Sequence, residues 1–485
     1  MGGNYEKGMY KQLMEVMARL DRVEKEHKQE ITILKENITE LKIENKQLRE
    51  ENQLLRNDNA RLKSIINNDS SNSSLPPSTD QKGGKPANTY NSRTKTERKA
   101  GGQKGRKGTT LTKADVEEKI QSGKCRHEVR TLGRISSGNY VTKYVVDMSI
   151  EPVITEVRIY ADENGKIHIP LQYRSDVTYG ENVKALAASL YSEGVMSNDR
   201  IAAFLNAASG DILALSEGSI YGFCRKMAQN SVPSILQLEE NLLNQSIVAT
   251  DATTVSVNGR QNYIRNFSTK DTVVYHAMSS KSIEALKEID FLNRYSGTLL
   301  HDHETAFYHF GTDHAECNVH IIRYLRKNTE ETGNKWSEEM ISLLCDMNKT
   351  RKERIEQGKS NFLEEEMKSY EQNYQDILKK GRSENKKTSH TYAKTDEKTL
   401  LNRMEKYRHN HLLFLHDFCV PFENNMSERD LRKAKNRQKM AGGFRKESGH
   451  GMYCSILTVI ETLKRRNMGL IENIKQLFMG APAIF

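Results

Sequence analysis

The sequence predicts a multidomain α+β protein whose character changes several times along its 485 residues. Three observations support this class: heptads run through residues 5–66, helical periodicity fills residues 176–244, and apolar β-branched segments begin after residue 245. A chain of this length is expected to form roughly two to four domains. We expect an N-terminal parallel coiled coil, a small β segment, a helical domain, and an α/β core with a helical insertion.

Residues 5–66 carry the heptad pattern. Asparagines such as Asn45 and Asn52 occupy a positions, e positions are basic and g positions are largely acidic, which suits a parallel two-stranded pair. The d positions hold leucine at every seventh residue: Leu34, Leu41, Leu48, Leu55 and Leu62. We predict a homodimer or higher homo-oligomer through this segment; the alternative is a single solvated helix.

Residues 67–110 combine turn-forming residues with positive charge. The whole chain has 74 Lys and Arg against 64 Asp and Glu, a formal charge of +10, and much of the excess is concentrated here. A flexible cationic strand can follow a phosphate backbone or lie in a minor groove. The predicted DNA contacts are Lys99, Lys104, Arg106 and Lys107. The alternative is a soluble linker.

Two segments precede the core. Residues 111–175 are β-branched and partly alternating, which predicts a small β-rich domain. Residues 176–244 contain three amphipathic stretches that predict helices, with Asn198 or Asp199 capping the second and Ser216 beginning the third. Two such helices could form a helix-turn-helix that binds DNA, or they could be simple packing units.

Residues 245–327 predict the first part of the core. An apolar strand contains Asp251, two more strands and a helix follow, and a further strand ends at Asp302. This β-β-β-α-β order is that of a ribonuclease-H-like core, where carboxylates on adjacent strands converge. Such acids bind Mg²⁺, which prefers oxygen ligands and can activate the attacking oxygen in phosphodiester displacement. For Asp251 alone, a capped or surface carboxylate is the alternative.

The third acid lies in VPFENNMSERDLRKAKNRQKMAGGFR, in the last segment, 413–485. Glu428 would stand in the first turn of a basic helix; Glu423 and Asp430 are rivals that spacing does not exclude. The basic residues could grip phosphates near a cut site, and a solvated charged face is the alternative. These predicted DNA contacts are Arg429, Arg432, Lys435, Arg437 and Arg445.

The chain resembles transposases of the insertion-sequence-66 family over nearly its whole length. The resemblance depends on the stretches NSSLPPSTD, AGGQKGRKG, IVATDATTV, HAECNVHIIRYL and VPFENNMSERDLR with QKMAGGFR. The resemblance implies that Asp251, Asp302 and Glu428 are the catalytic and metal-binding acids. Cys317, His320 and Arg323 match a family segment of Cys, His and Arg, which we interpret as packing or DNA-contact residues rather than metal ligands.

The resemblance has one departure and one large insertion. Two C-x-x-C pairs that often follow the basic linker in the family are reduced here to Cys125 and His127, so we predict no structural zinc. Residues 328–412 are charged and helical in pattern, and they look like the helical insertion of related transposases, which clamps or shields DNA. Trp336, the only tryptophan, is expected to be buried within it.

The resemblance implies an active DNA transposase. It would bind terminal inverted repeats and target DNA, both double-stranded, and would cut and join strands with Mg²⁺, for which Mn²⁺ would substitute. It also implies small companion proteins of the same element. With scattered cysteines, no signal peptide and no apolar run of membrane length, we expect a bacterial cytoplasmic, nucleoid-associated protein without membrane contact. The rival hypothesis is a non-catalytic, domesticated DNA-binding or architectural protein.

Overall fold

The computed structural model describes residues 3–66, 111–123, 125–132, 141–148, 150–193, 196–389 and 391–482. Contacts divide the chain into two units, Met1–Gln81 and Lys82–Phe485. The DNA contacts predicted in the basic segment lie outside the described residues: Lys99, Lys104, Arg106 and Lys107.

The first unit contains one long helix, α1 (Gly3–Ile66). Its d-position side chains are exposed in the single chain, with Leu34 and Leu41 each 56% exposed. Asn45 and Asn52 donate their side-chain amides to the carbonyls of Leu41 and Leu48, at 3.1 and 3.2 Å. The predicted helix is confirmed, while its pairing with a second copy stays a prediction. The side chains of two predicted contact residues lie outside the described set: Leu55 and Leu62.

The second unit begins differently from the prediction. A short helix, α2 (Lys113–Gln121), is capped by Thr112, whose backbone N–H and hydroxyl both donate to Asp115. The described residues between 125 and 175 include no strand, and their β-branched side chains are exposed, as Val145 and Ile154 show. A strand needs a hydrogen-bonded neighbour and a face to bury. The β-branched pattern here meets neither condition, so the expected β-rich domain is not found in the described residues.

The helical domain follows the predicted periodicity. Its four helices are α3 (Glu181–Glu193), α4 (Asn198–Ala208), α5 (Glu217–Asn230) and α6 (Val232–Leu243). Ser216 caps α5 as expected, because its hydroxyl accepts the N–H of Ser219 at 3.2 Å. At α4 the N-cap is Ser197, one residue before the predicted candidates Asn198 and Asp199.

A five-stranded mixed sheet forms the centre of the second unit. Its strands are β1 (Ile247–Val257), β2 (Arg260–Ser268), β3 (Val273–Met278), β4 (Thr298–His301) and β5 (Asp313–Glu316), in the order β3-β2-β1-β4-β5. β1, β2 and β3 are antiparallel neighbours, whereas β4 runs parallel to both β1 and β5. Two short helices, α7 (Ile283–Lys287) and α8 (Asp290–Arg294), lie between β3 and β4. The predicted strands are confirmed; β5 is additional.

The insertion is helical, as predicted. It follows α9 (Asn318–Thr332) and contains α10 (Trp336–Glu356), α11 (Glu364–Lys387), α12 (Thr391–Lys406) and α13 (Arg408–His416). Trp336 is fully buried, and its indole N–H donates to Glu397 at 2.6 Å. The expectation that Trp336 packs inside the insertion is therefore confirmed.

The chain returns to the sheet after the insertion. The last helices are α14 (Asn425–Asp430), α15 (Arg432–Ala441), α16 (Glu447–Arg465) and α17 (Leu470–Phe478). The basic helix predicted to run on from Glu428 is thus interrupted at Leu431. α16 covers the edge strand β3, because the N–H groups of Val273 and Tyr275 donate to the hydroxyls of Thr462 and Thr458. An edge strand covered in this way cannot pair with another chain at those groups.

Both faces of the sheet are buried. One core joins the helical domain and α16 to one face, and it includes Val255. A second core on the same face extends from Ala249 and Leu300 into the insertion. The opposite face is covered by a third core, which includes Val248 and Leu299 and packs on α6, α7 and α8. Within the described residues, no helix combines the length and apolar character that crossing a bilayer requires.

Candidate active site

The parallel register of β1 and β4 brings Asp251 and Asp302 to equivalent places. Ala249 pairs with Leu300, and each aspartate stands two residues further along its strand direction. Residues two apart on a strand share a face, and the carboxyl ends of neighbouring parallel strands are where α/β sheets carry ligands. The two acids that the sequence predicted therefore lie side by side on one face of the sheet, where β4 ends next to the middle of β1.

Asp251 is strongly affected by this position. Burial raises the pKa of its carboxyl to about 6, and the nearby negative charge of Asp302 acts in the same direction. The N–H of Ala252 donates to the carboxylate at 2.7 Å, and the charges of Lys435 and Lys281 also oppose the rise. A carboxylate that is costly to ionise next to another acid favours any cation that can lie between them.

Glu428 reaches the same place from the first turn of α14. Its Oε1 lies 3.6 Å from Nε2 of His320 and 3.9 Å from a guanidinium nitrogen of Arg323. The other ring nitrogen of His320, Nδ1, lies 2.6 Å from Oδ1 of Asp302. His320 thus bridges the second and third predicted acids.

The surroundings of His320 favour the charged form of its ring. Burial on its own lowers the pKa of the imidazole, but the hydrogen bond and charge of Asp302, together with Cys317, raise it to about 10. Cys317 is buried at the N-cap of α9, and its sulfur accepts the N–H of Asn424 at 3.3 Å. Asp302, Cys317 and His320 each offer one ligand atom within 4.8 Å of the other two. The Cys and His of the HAECNVHIIR segment therefore lie next to Asp302, and their interpretation as packing or DNA-contact residues stays a prediction.

Two buried asparagines hold α14 against the sheet. Asn424 donates its side-chain amide to the carbonyl of Thr250 at 2.9 Å, next to Asp251. Asn266 lies opposite Asp251 on β2; its Oδ1 accepts the N–H of Asp251 at 2.9 Å, and its amide donates to the carbonyl of Ser427 at 3.2 Å. Asn266 was not among the predicted site residues, because an amide within a strand belongs to no recognisable motif.

The two rival acids have different surroundings. Asp430 is buried, and its Oδ2 accepts from Arg465 at 2.5 Å and from Asn266 at 3.2 Å. Its carboxylate is therefore engaged in holding α14 to α16. Glu423 is exposed, before α14 begins. Of the three acids in this stretch, Glu428 is the one in contact with His320.

A buried acid with three basic partners lies close to the loop that carries Asp302. Glu316, at the end of β5, has a fully buried side chain that lies 2.9 Å from Nδ1 of His303, 2.6 Å from Arg403 and 3.3 Å from Nε2 of His411. These hydrogen bonds and charges outweigh burial and hold the pKa of Glu316 far below its ordinary range. The cluster joins the loop that carries Asp302 to α12 and α13. Its acid directly precedes Cys317, but without the structure that position gives no indication of its partners.

The predicted basic contacts of the last segment fall into two groups. Arg429, Arg432 and Arg445 are exposed, and Lys435 is near enough to Asp251 to influence its pKa. The guanidinium of Arg437 instead lies against aromatic rings, 4.3 Å from the centroid of Tyr191 and 4.9 Å from that of Tyr453. A cation in such a position stabilises the packing of α15 on the helical domain.

The QKMAGGFR stretch has a structural explanation. Gly442 ends α15 in the left-handed conformation. Gly443 has φ +124°, and a Cβ there would lie 2.3 Å from the carbonyl oxygen of Ser256, so only glycine fits. Phe444 then pairs with Val257 on β1.

The fold and the clustered acids define a class of α/β protein with a carboxylate centre on one face of a mixed sheet, next to the end of β4. A family model described as Transposase IS66 family matches residues 177–452. This covers more than half of the chain, which therefore belongs to the IS66 transposase family. A second model, described as a family of unknown function (DUF6444), matches residues 12–112. No curated protein matches the chain.

Proposed function

We propose that the protein is an active DNA transposase of an insertion sequence, with a ribonuclease-H-like core and Asp251, Asp302 and Glu428 as its catalytic triad. The observation that carries the proposal is that Asp251 lies next to Asp302, while His320 contacts both Asp302 and Glu428. Membership of the IS66 transposase family supports the same activity. Terminal inverted repeats and target DNA would be its double-stranded substrates.

The donor set suits Mg²⁺ or Mn²⁺. Both cations prefer carboxylate oxygens. Oε1 of Glu428 is buried and accepts no hydrogen bond from the described residues, which is unusual for a carboxylate oxygen and is expected of a ligand atom. Bound there, divalent cations would stabilise charge on the attacking and leaving oxygens of phosphodiester displacement.

The chain's own residues supply position and charge balance. Asn266 and Asn424 hold α14, which carries Glu428, against the part of the sheet that carries Asp251. His320 and Arg323 provide positive charge beside Asp302 and Glu428. Exposed arginines on α14, α15 and the segment before α16 would contact DNA phosphates, as Arg429, Arg432 and Arg445 are placed to do.

The test is metal-dependent cleavage of duplex DNA that carries the element's own terminal repeat. We expect Asp251→Asn, Asp302→Asn and Glu428→Gln each to lower the cleavage rate about 100-fold or more, since the metal ions that the triad would hold stabilise the transition state by several kcal/mol. DNA binding, measured by mobility shift, should persist. Glu423→Gln is the matched control, because it neutralises an exposed acid five residues before Glu428 and should cleave normally.

Two results would contradict the proposal. Unchanged cleavage by any triad variant would remove that residue from the triad. Firm binding of terminal-repeat DNA by the unaltered protein, without nicking in Mg²⁺ or Mn²⁺, would favour a domesticated DNA-binding or architectural protein.

A further inference from the structure

Two half-exposed tyrosines lie along one junction between helices, beginning one turn of α9 beyond His320, which contacts Asp302 and Glu428. Tyr324 on α9 is 49% exposed and Tyr392 on α12 is 55% exposed. Tyr324 is four residues beyond His320, so the two side chains share a face of α9. Single exposed aromatics are ordinary. Two on the same junction, next to a candidate phosphodiester centre, need an explanation.

The α9–α12 junction, defined by Tyr324, Lys327, Tyr392, Asp396 and Arg403, has cations between its rings. The guanidinium of Arg403 lies 5.2 Å from the centroid of Tyr324. The ammonium of Lys327 lies 3.3 Å from Asp396, and Tyr392 is four residues before Asp396 on the same face of α12. These pairs show that α9 and α12 run antiparallel, with Tyr324 nearer the acids and Tyr392 further away.

The support behind the rings is rigid. Arg403 is fixed by its 2.6 Å contact with the buried carboxylate of Glu316. Beneath the junction, Asn328 on α9 donates to Glu397 on α12 at 3.2 Å. Rings held on packed helices lose little conformational freedom when a planar ligand stacks on them.

We propose that the α9–α12 junction binds unpaired DNA nucleotides next to the cleavage site, with Tyr324 and Tyr392 as stacking surfaces. Every base has a π-face, so aromatic stacking captures single strands without regard to sequence. Arg403 and Tyr392 are eleven residues apart on α12, a rise of about 16 Å, which is the length of about five stacked nucleotides. Arg323 and Lys327 lie beside this path and suit backbone phosphates.

This inference deepens the proposed function, since it assigns a substrate state, a locally unpaired strand, to the same centre. A protein ligand would not explain why the rings begin beside the acids. The acids Asp396 and Glu331 partly neutralise Lys327, so the junction should depend more on stacking than on charge.

The test uses the full chain and fluorescein-labelled DNA in EDTA, where no cleavage interferes. Anisotropy gives the affinity for an oligothymidylate of about 20 nucleotides, for an abasic strand of equal length, and for a duplex. We expect Tyr324→Ala to weaken oligothymidylate binding about tenfold, the typical loss for one stacked base. Tyr324→Phe keeps the ring and should bind normally. Binding of the abasic strand and the duplex should stay within about twofold.

Tyr160→Ala is the matched control, because Tyr160 is 79% exposed and lies outside both the basic segment and the helical domain that were predicted to contact DNA. It should bind all three DNAs normally. An equal loss on the abasic strand, or no loss on oligothymidylate, would overturn the proposal. If Tyr324→Ala binds oligothymidylate normally while Asp302→Asn still abolishes cleavage, only the junction proposal fails. If base-dependent binding is lost as expected but the unaltered protein never nicks DNA, only the proposed chemistry fails.

Discussion

Glu397 holds the insertion together through its carboxylate. It is fully buried on α12 and accepts five hydrogen bonds from three other helices or their adjoining turns. Oε1 accepts from Asn328 at 3.2 Å, from Asn334 at 2.7 Å and from the indole of Trp336 at 2.6 Å. Oε2 accepts from Asn385 at 2.8 Å and from Thr388 at 3.1 Å. We predict that Glu397→Gln destabilises the insertion.

The expected loss follows from these contacts. Glutamine keeps the shape, but its three bonds at Oε1 become neutral, a loss of about 1 kcal/mol each. Its NH₂ group would face the Asn385 and Thr388 donors, costing about 1 kcal/mol or more for each. Removing a buried charge returns part of this, because the carboxylate no longer has to be desolvated. The net loss in the free energy of unfolding is about 2–4 kcal/mol.

The assay is urea unfolding followed by tryptophan fluorescence. Trp336 is the only tryptophan and contacts Glu397 directly, so the signal reports on the insertion itself. With a slope of about 2–3 kcal/mol/M, the midpoint should fall by about 1 M. Glu330→Gln is the control, because Glu330 is exposed on α9 and should change stability by less than about 0.5 kcal/mol. Equal midpoints for Glu397→Gln and the unaltered protein would refute the reasoning.

The difference in stability between the unaltered protein and the Glu397→Gln variant should also depend on pH. Burial alone raises the pKa of Glu397, but the bonds from Asn334, Asn385, Trp336 and Asn328 bring it below the ordinary value of 4.5. A lowered folded-state pKa means that ionisation stabilises the fold at neutral pH, and that this stabilisation is lost as the pH falls below about 4.5. The difference in the free energy of unfolding between the unaltered protein and the Glu397→Gln variant should therefore be largest near pH 7 and should decrease in acid. A gap that grew in acid would contradict the assignment.

Two further predictions concern the site and the assembly. Asn266→Ala removes a buried side chain that forms hydrogen bonds with Asp251, Ser427 and Asp430, so it should lower the free energy of unfolding by about 2–4 kcal/mol. Asn262→Ala is the control, because Asn262 lies on the same face of β2 but donates only one hydrogen bond, at 3.4 Å, and its loss should be smaller. Equal urea midpoints for the two variants would show that Asn266 does not hold α14. Leu41→Asp places a charge at a d position and should convert the expected dimer to a monomer in analytical ultracentrifugation, whereas a dimer that survives it would exclude pairing through the heptads.

Sequence pattern predicted the regular elements well where the pattern had a physical cause. The strand around Asp251 and the helices after Tyr179 bury the apolar residues that produced their periodicity. The stretch around Val145 and Ile154 has the same β-branched composition, yet these side chains are exposed and unpaired as strands. Composition states what a segment could bury, and only tertiary contacts decide whether it does.

The sequence predicted the acids of the candidate site but not the buried polar residues that hold its elements together. Asp251 and Glu428 occur in recognisable motifs, whereas Asn266 and Glu316 acquire their roles from partners that are distant in sequence. Hydrogen bonds of this kind join positions more than 80 residues apart, as Glu316 and Arg403 show. No local pattern specifies such a pair, because either residue alone is an ordinary polar side chain.

The supports also explain why a long insertion can be accommodated between the second and third acids. Glu316 is the last residue of β5, which pairs with β4, and its buried carboxylate contacts α12 through Arg403 and α13 through His411. The chain therefore leaves the sheet at α9, and α12 and α13 contact the sheet again before α14 begins. Asn318, at the start of α9, adds a bond to the carbonyl of His411 at 3.0 Å. Because exit and return are fixed to the same strand end, the insertion's helices can extend outward without displacing Glu428 from His320.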